Sequence, residues 1–170
     1  MLRLYAALTD KDVSDPMLLQ SDPEWLEFRL YWLTRAVEGV RDRIRGHGLI
    51  STAAVFPTPR MARHMVRQDW THWGLDVYFP MAYHNFYNEP IGWIEAVMRE
   101  NRKTMLPGTR IICGLYLPAL QQGNDFTEAM EAAYRGGADG IAFFSLDALS
   151  AELLQQLHAF SLLKKANHTP

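Results

Sequence analysis

The chain has 170 residues, 48% of them hydrophobic and 21% charged, which is ordinary for a soluble globular domain able to bury a core. Its formal net charge of -2 gives no electrostatic reason to expect a nucleic acid or an anionic membrane as partner. No stretch approaches the roughly 20 apolar residues of a membrane span, and the single cysteine, Cys113, excludes an internal disulfide framework and a cysteine-rich zinc site.

Met1 to Leu8 carries one arginine and a short apolar stretch that runs straight into Thr9-Asp10-Lys11-Asp12. That is too short for a signal-peptide core and lacks a cleavage site, so no leader is expected here and the location stays open. Asp22-Pro23-Glu24 then opens a long helix, with a capping carboxylate, a proline at the first helical position and an acid in the first turn. Leu26, Leu30, Leu33, Val37, Val40 and Ile44 recur at helical spacing, and Trp25, Phe28, Trp32 and Ala36 widen the stripe into a face suited to lie on a sheet. Gly46 and Gly48 end it.

Four apolar runs follow, Leu49 to Phe56, Leu75 to Met81, Arg110 to Leu117 and Gly140 to Leu146. Cys113 falls in the third, within Ile111-Ile112-Cys113-Gly114-Leu115, and reads as a small buried thiol. Each run precedes a helical pattern: Arg60 to Trp70, Ile91 to Arg102, Asp125 to Arg135, and Ser150 to Lys165. Strands alternating with helices in this way are the signature of parallel βαβ units. An open doubly wound sheet usually carries a glycine-rich phosphate turn after its first strand. This chain has none; Gly136-Gly137-Ala138-Asp139-Gly140 precedes a strand and reads as a helix-ending turn. The expected fold class is therefore α/β, with a partial (β/α)8 barrel of about four strand–helix units led by a long helix favoured over an open doubly wound sheet. A full barrel of this type takes about 250 residues, so the inward face of the predicted arc calls for cover by a missing N-terminal half or a second copy of the chain, or for a different closure of the sheet.

Residues suited to chemistry gather where the predicted strands end, the functional rim of a barrel. In Phe56-Pro57-Thr58-Pro59-Arg60 two prolines stiffen the loop and deliver Arg60 to the rim, where a guanidinium can grip a carboxylate or hydroxyls; alternatively, Pro59 starts a helix and Arg60 is solvated. Pro80-Met81-Ala82-Tyr83-His84-Asn85-Phe86-Tyr87-Asn88-Glu89 packs aromatic rings, an imidazole and amides into one strand exit. Such rings stack on the apolar faces of sugars while polar tips bond hydroxyls. Pro80 fits only where the strand ladder ends, which brings Tyr83 and His84 to the rim, with Asn85 and Tyr87 behind them. Tyr116 either lines a pocket or sits in the core, and Asp147 is either an acid, base or hydroxyl anchor or the N-cap of the next helix. Asp147 and His84 are the candidates for catalysis; Arg60, Tyr83, His84, Asn85, Tyr87 and Tyr116 are the candidates for binding substrate. His47 and His64 have no partner at metal-ligand spacing, and no motif calls for a metal or a cofactor. Glycoside hydrolysis ordinarily takes two facing carboxylates. Asp147 is one at a strand exit, and Glu89 lies in a loop, so the pair is incomplete.

Several stretches together resemble the family-ten-like glycosyl hydrolases, a group of glycosyl-hydrolase-like barrel proteins. They are Trp25-Leu26-Glu27-Phe28-Arg29, Ala53-Ala54-Val55-Phe56-Pro57-Thr58-Pro59, Val66-Arg67-Gln68-Asp69-Trp70, Pro80-Met81-Ala82-Tyr83-His84-Asn85-Phe86-Tyr87 and Gly114-Leu115-Tyr116-Leu117-Pro118. The resemblance implies a barrel that acts on, or derives from proteins acting on, polysaccharide, and similar proteins are often exported. It also implies that the chain corresponds to the C-terminal half of that barrel, over residues 22–166. Residues 1–21 are then an N-terminal segment with a remnant of the preceding unit, and 167–170 a disordered tail. The family's fourth strand, whose acid is the usual candidate for catalysis, has no counterpart in Met1 to Leu8. Three functions follow as expectations: part of a glycoside hydrolase whose second carboxylate comes from the covering half, a saccharide-binding module without chemistry, and a self-associating remnant.

Overall fold

A computed structural model describes residues 1–166; the expected disordered tail, 167–170, lies outside the described residues. Seven α-helices and four parallel strands are formed among the described residues. In chain order they are α1 (Leu2–Thr9), α2 (Pro16–Ser21), α3 (Pro23–Gly46), β1 (Thr52–Val55), α4 (Pro59–Val66), β2 (Val77–Pro80), α5 (Trp93–Thr104), β3 (Arg110–Tyr116), α6 (Asp125–Arg135), β4 (Gly140–Phe144) and α7 (Ala151–Ala166). No helix among the described residues is long and apolar enough to cross a membrane. The chain divides into two compact units, Met1–Ser51 with Pro59–Gly74, and Thr52–Thr58 with Leu75–Pro170.

The first unit is helical. Its N-terminal residues, expected as a segment with a remnant of the preceding unit, form α1 and α2. The Tyr5 hydroxyl donates to Asp22 Oδ2 at 2.7 Å, and the Tyr5 ring packs 5.0 Å from Trp25 and 5.1 Å from Phe28. Asp22 caps α3 by accepting from the Glu24 amide, as the Asp-Pro-Glu signature requires. Of the long apolar stripe only Leu30 is fully buried, and Trp32 and Val40 are exposed. The helix predicted over Arg60 to Trp70 stops at Val66: Arg67 turns left-handed (φ 61°), and a single 3-10 turn starts at Trp70. Arg63 on α4 pairs with Glu27 at 2.7 Å and with Asp69 at 2.6 Å.

Lys11 Nζ lies 2.8 Å from Asp22 Oδ2 and 3.0 Å from Glu24. The Lys11 ammonium, helped by the Tyr5 hydroxyl, holds the Asp22 carboxyl down at about 2. Because the folded-state value lies below the unfolded one, the pairing stabilises the fold above about pH 4 and is lost as pH falls through about 2. Asp22→Asn, which keeps a capping oxygen, is therefore expected to lose less stability than the unaltered chain between those two pH values in urea denaturation.

The second unit holds the sheet. Its strand order is β1-β2-β3-β4, each strand parallel to and beside the one before it. The apolar runs were legible but over-long: β1 starts at Thr52 because Leu49 and Ile50 are exposed outside the ladder, and β4 stops at Phe144. Pro80 is the last residue of β2, where a missing N–H costs no ladder bond. Register assigns alternate residues to opposite faces. Ile111, Cys113 and Leu115 of β3 join α5 and α6 residues Ile94, Val97, Met98, Phe126, Ala129 and Met130 in one buried core, with Ile141 and Phe143 of β4 packed against it. Burial pushes the Cys113 thiol far up, as expected for an inert core residue. The other face carries Thr52, Ala54, Val77, Phe79, Met81, Arg110, Ile112, Gly114, Tyr116, Gly140, Ala142 and Phe144. It is mostly apolar and unevenly covered: Val77 and Gly114 are buried, Thr52, Ala54, Arg110 and Phe144 are exposed and the rest are half-buried.

Two bracing features fix the helices to the sheet. Arg102 at the end of α5 donates to the carbonyls of Gly137 and Thr109 and pairs with Asp139 at 2.6 Å, and Asp139 Oδ2 in turn accepts from the Ile111 amide. Gly136, just past α6, lets the two helices touch: a Cβ there would sit 2.5 Å from Met98 Cβ and 2.7 Å from the Glu95 carbonyl oxygen. Gly136→Ala is thus expected to destabilise the chain by about 1–3 kcal/mol through overpacking, read as a lower urea midpoint.

Candidate functional site

β2, β3 and β4 end side by side, and each leaves the sheet through a single 3-10 turn: His84–Tyr87, Leu117–Ala119 and Leu146–Ala148. The close approach of β2 to β3 depends on Gly114. The Ala82 amide donates to the Gly114 carbonyl at 3.0 Å, and a Cβ on Gly114 would meet the Pro80 carbonyl oxygen at 3.1 Å. Gln121 Nε2 joins the β3 and β4 exits by donating to the carbonyls of Leu117 (2.7 Å) and Ala148 (3.2 Å).

On the poorly covered face, at these exits, four rings meet. Tyr83 lies 5.6 Å from Phe86, 5.6 Å from Tyr116 and 6.1 Å from Phe144. Tyr116 is also 4.9 Å from Phe86 and 6.2 Å from Phe144. Phe86 is 60% exposed and Phe144 56% exposed. Exposed aromatic surface gathered in one patch, instead of scattered, makes this the candidate binding surface.

The expected site residues divide as follows. Tyr83 and Tyr116 are brought together in the cluster, where both are half-buried. Burial raises the Tyr83 phenol, so it stays protonated and able to donate. His84 follows Tyr83; burial lowers its imidazole despite the opposing field of Asp125, so the ring is neutral near pH 7 and has one donor and one acceptor nitrogen. Asn85 is exposed in the same turn. Tyr87 does not join the cluster: it packs on Trp93 at the start of α5, with ring centroids 5.4 Å apart. Arg60 is exposed in the first turn of α4 and belongs to the other unit. Asp147 is exposed in the turn after β4 and accepts from the Ser145 hydroxyl. It does not cap α7. Ser150 does, accepting from the Leu153 amide at 3.2 Å.

Phe86, Phe144 and Asp125 were not among the candidate residues. Phe144 was read only as part of an apolar strand; its register opposite Tyr116 was the available signal. Asp125 was read as a helix start, yet its charge acts on His84. Among the described residues no group of three or more His, Cys, Asp or Glu side chains could hold a metal ion. A groove of about 530 Å³ lies on the helical side between α6 and α7, lined by Thr127, Glu131, Arg135, Gln156, Phe160 and Leu163. None of the expected site residues lines it.

The cluster can contact flat, partly apolar rings, and the Tyr83 hydroxyl can add a polar contact. No protein-family model, curated protein or solved structure matches the chain.

Proposed function

We propose that this chain is a glycosyl-hydrolase-like sector of an α/β barrel that binds polysaccharide or oligosaccharide at the exits of β2, β3 and β4. The observation that carries the reading is the cluster of Tyr83, Phe86, Tyr116 and Phe144 on the poorly covered face, at the C-terminal strand ends where barrel sites are built. The barrel part is supported by the sequential, all-parallel strand order, with α5 and α6 packed into one core on one face of the sheet. A half-covered apolar face and two edge strands favour a covering half or a second copy as partner.

In the hydrolytic form of the reading, Asp147 is one carboxylate and the covering half supplies its counterpart across the glycosidic bond. Neutral His84 then bonds a sugar hydroxyl and orients the chain. Without the covering half, the site binds and does not cleave. The two forms separate in one experiment: titrate the chain with glucan, chitin and peptidoglycan fragments, following intrinsic fluorescence and product release. Quenching without product supports binding alone. Product that disappears in Asp147→Asn supports hydrolysis. Flat titrations across all the fragments would refute the saccharide reading.

A further inference from the structure

We infer that Arg29 and Arg67, both in the helical unit, form a binding site for a doubly charged oxyanion, a phosphate or sulfate group. Among the described residues the half-buried arginines are Arg29, Arg41, Arg63, Arg67 and Arg102. Arg41 pairs with Asp42, Arg63 with Glu27 and Asp69, and Arg102 with Asp139, whereas Arg29 and Arg67 pair with no acid. Arg29 lies over the Trp25 ring, 5.5 Å from its centroid. Arg67 Nη1 donates to the Met65 carbonyl at 2.9 Å, and Arg67 Nε is buried with no hydrogen-bond partner. A buried donor left unmade is costly, and an acceptor placed there removes the cost.

The two guanidiniums share one locality. Arg63 joins Glu27, two residues before Arg29, to Asp69, two residues after Arg67, which sets this part of α3 against the exit of α4. Burial and then the field of Arg67 both lower the Arg29 guanidinium from its usual range, yet it stays charged near pH 7. Glu27 and Asp69 already hold Arg63, so two like charges stand near each other without a counterion. Each guanidinium presents its donors in a flat fork that matches two oxygens of one oxyanion. Trp25 and the Met65 carbonyl already restrain the two side chains, so binding orders little that was free. A phosphate or sulfate dianion balances both charges; a carboxylate balances one.

The test is titration of the full chain with inorganic phosphate, sulfate and acetate, with chloride holding the ionic strength constant. Two readouts are followed, the Nε–H resonance of Arg67 and the urea midpoint. Phosphate and sulfate are expected to shift the resonance saturably and to raise the midpoint, with acetate about tenfold weaker. Arg29→Gln and Arg67→Gln are each expected to weaken phosphate binding about tenfold, the loss of one charge-assisted contact, with the midpoint in chloride alone unchanged. Arg29→Lys keeps a charge over Trp25 but loses the fork, and it is expected to bind phosphate more weakly than the unaltered chain; it serves if Arg29→Gln does not fold. Readouts that respond to phosphate no more than to chloride would overturn the inference. So would phosphate binding undiminished in the Arg29 variants, or acetate bound as tightly as phosphate.

Discussion

Alanine at Tyr116 is expected to weaken saccharide binding by about thirtyfold, the effect of removing a central aromatic anchor worth about 2 kcal/mol. Tyr116 contacts the other three rings of the cluster, so its loss removes its own stacking surface and frees Tyr83, Phe86 and Phe144 to rotate. Ordering those rings on binding would then oppose association. Tyr116→Phe keeps the ring and is expected to retain most of the affinity, which separates stacking from any role of the hydroxyl. Calorimetry with the best ligand of the oligosaccharide series measures both variants. An alanine variant that binds as well as the unaltered chain would remove the cluster from the site.

Phe126→Ala is expected to cost about 3–5 kcal/mol of stability, a large part of the roughly 5–15 kcal/mol that holds a domain together. The Phe126 ring is fully buried between α6 and β4, 5.2 Å from Phe143, within the one core that fastens α5 and α6 to the sheet. Its removal leaves a cavity lined by side chains already held by their own neighbours, so collapse into it is limited. Phe144→Ala, one residue along from Phe143 but on the opposite face, is expected to change stability by only about 0.5 kcal/mol. Urea denaturation distinguishes them. Comparable losses for Phe126 and Phe144 would mean that Phe144 is a core residue and not part of a binding surface.

Much of the fold could be read from local signals. The helix over Asp125–Arg135 has its acids in the first turn and Gly136-Gly137 just beyond, and both ends fall where those residues put them. Asp22-Pro23 marks the start of α3 equally well. What escaped depends on non-local partners. Leu49 and Ile50 continue an apolar run but find no strand to pair with, and so β1 is shorter than its hydrophobic signal. α1 looked like a bare apolar stretch because its organising contact, Tyr5 with Asp22, Trp25 and Phe28, joins residues about twenty apart in sequence.

The site shows the same division. Tyr83 and Tyr116 were legible because a proline next to each strand exit announces the end of the ladder. Phe144 was not, since Gly140-Ile141-Ala142-Phe143-Phe144 is apolar on both faces and only pairing with Ile112 to Tyr116 decides which phenylalanine joins the rings. Tyr87 was expected to stand with Tyr83, but the 3-10 turn between them winds it round to Trp93. Asp147 lost its capping alternative for a similarly local reason: a short turn intervenes before α7, and Ser150 is the residue left at the helix start.

The most direct test of the account is to map amide chemical-shift changes on the folded chain while a saccharide that binds is added. The expected result is a set of perturbations gathered at 83–87, 116–120 and 144–149, with α6 and α7 unmoved. Perturbations centred instead on the groove between α6 and α7, or no perturbation with any saccharide, would contradict it.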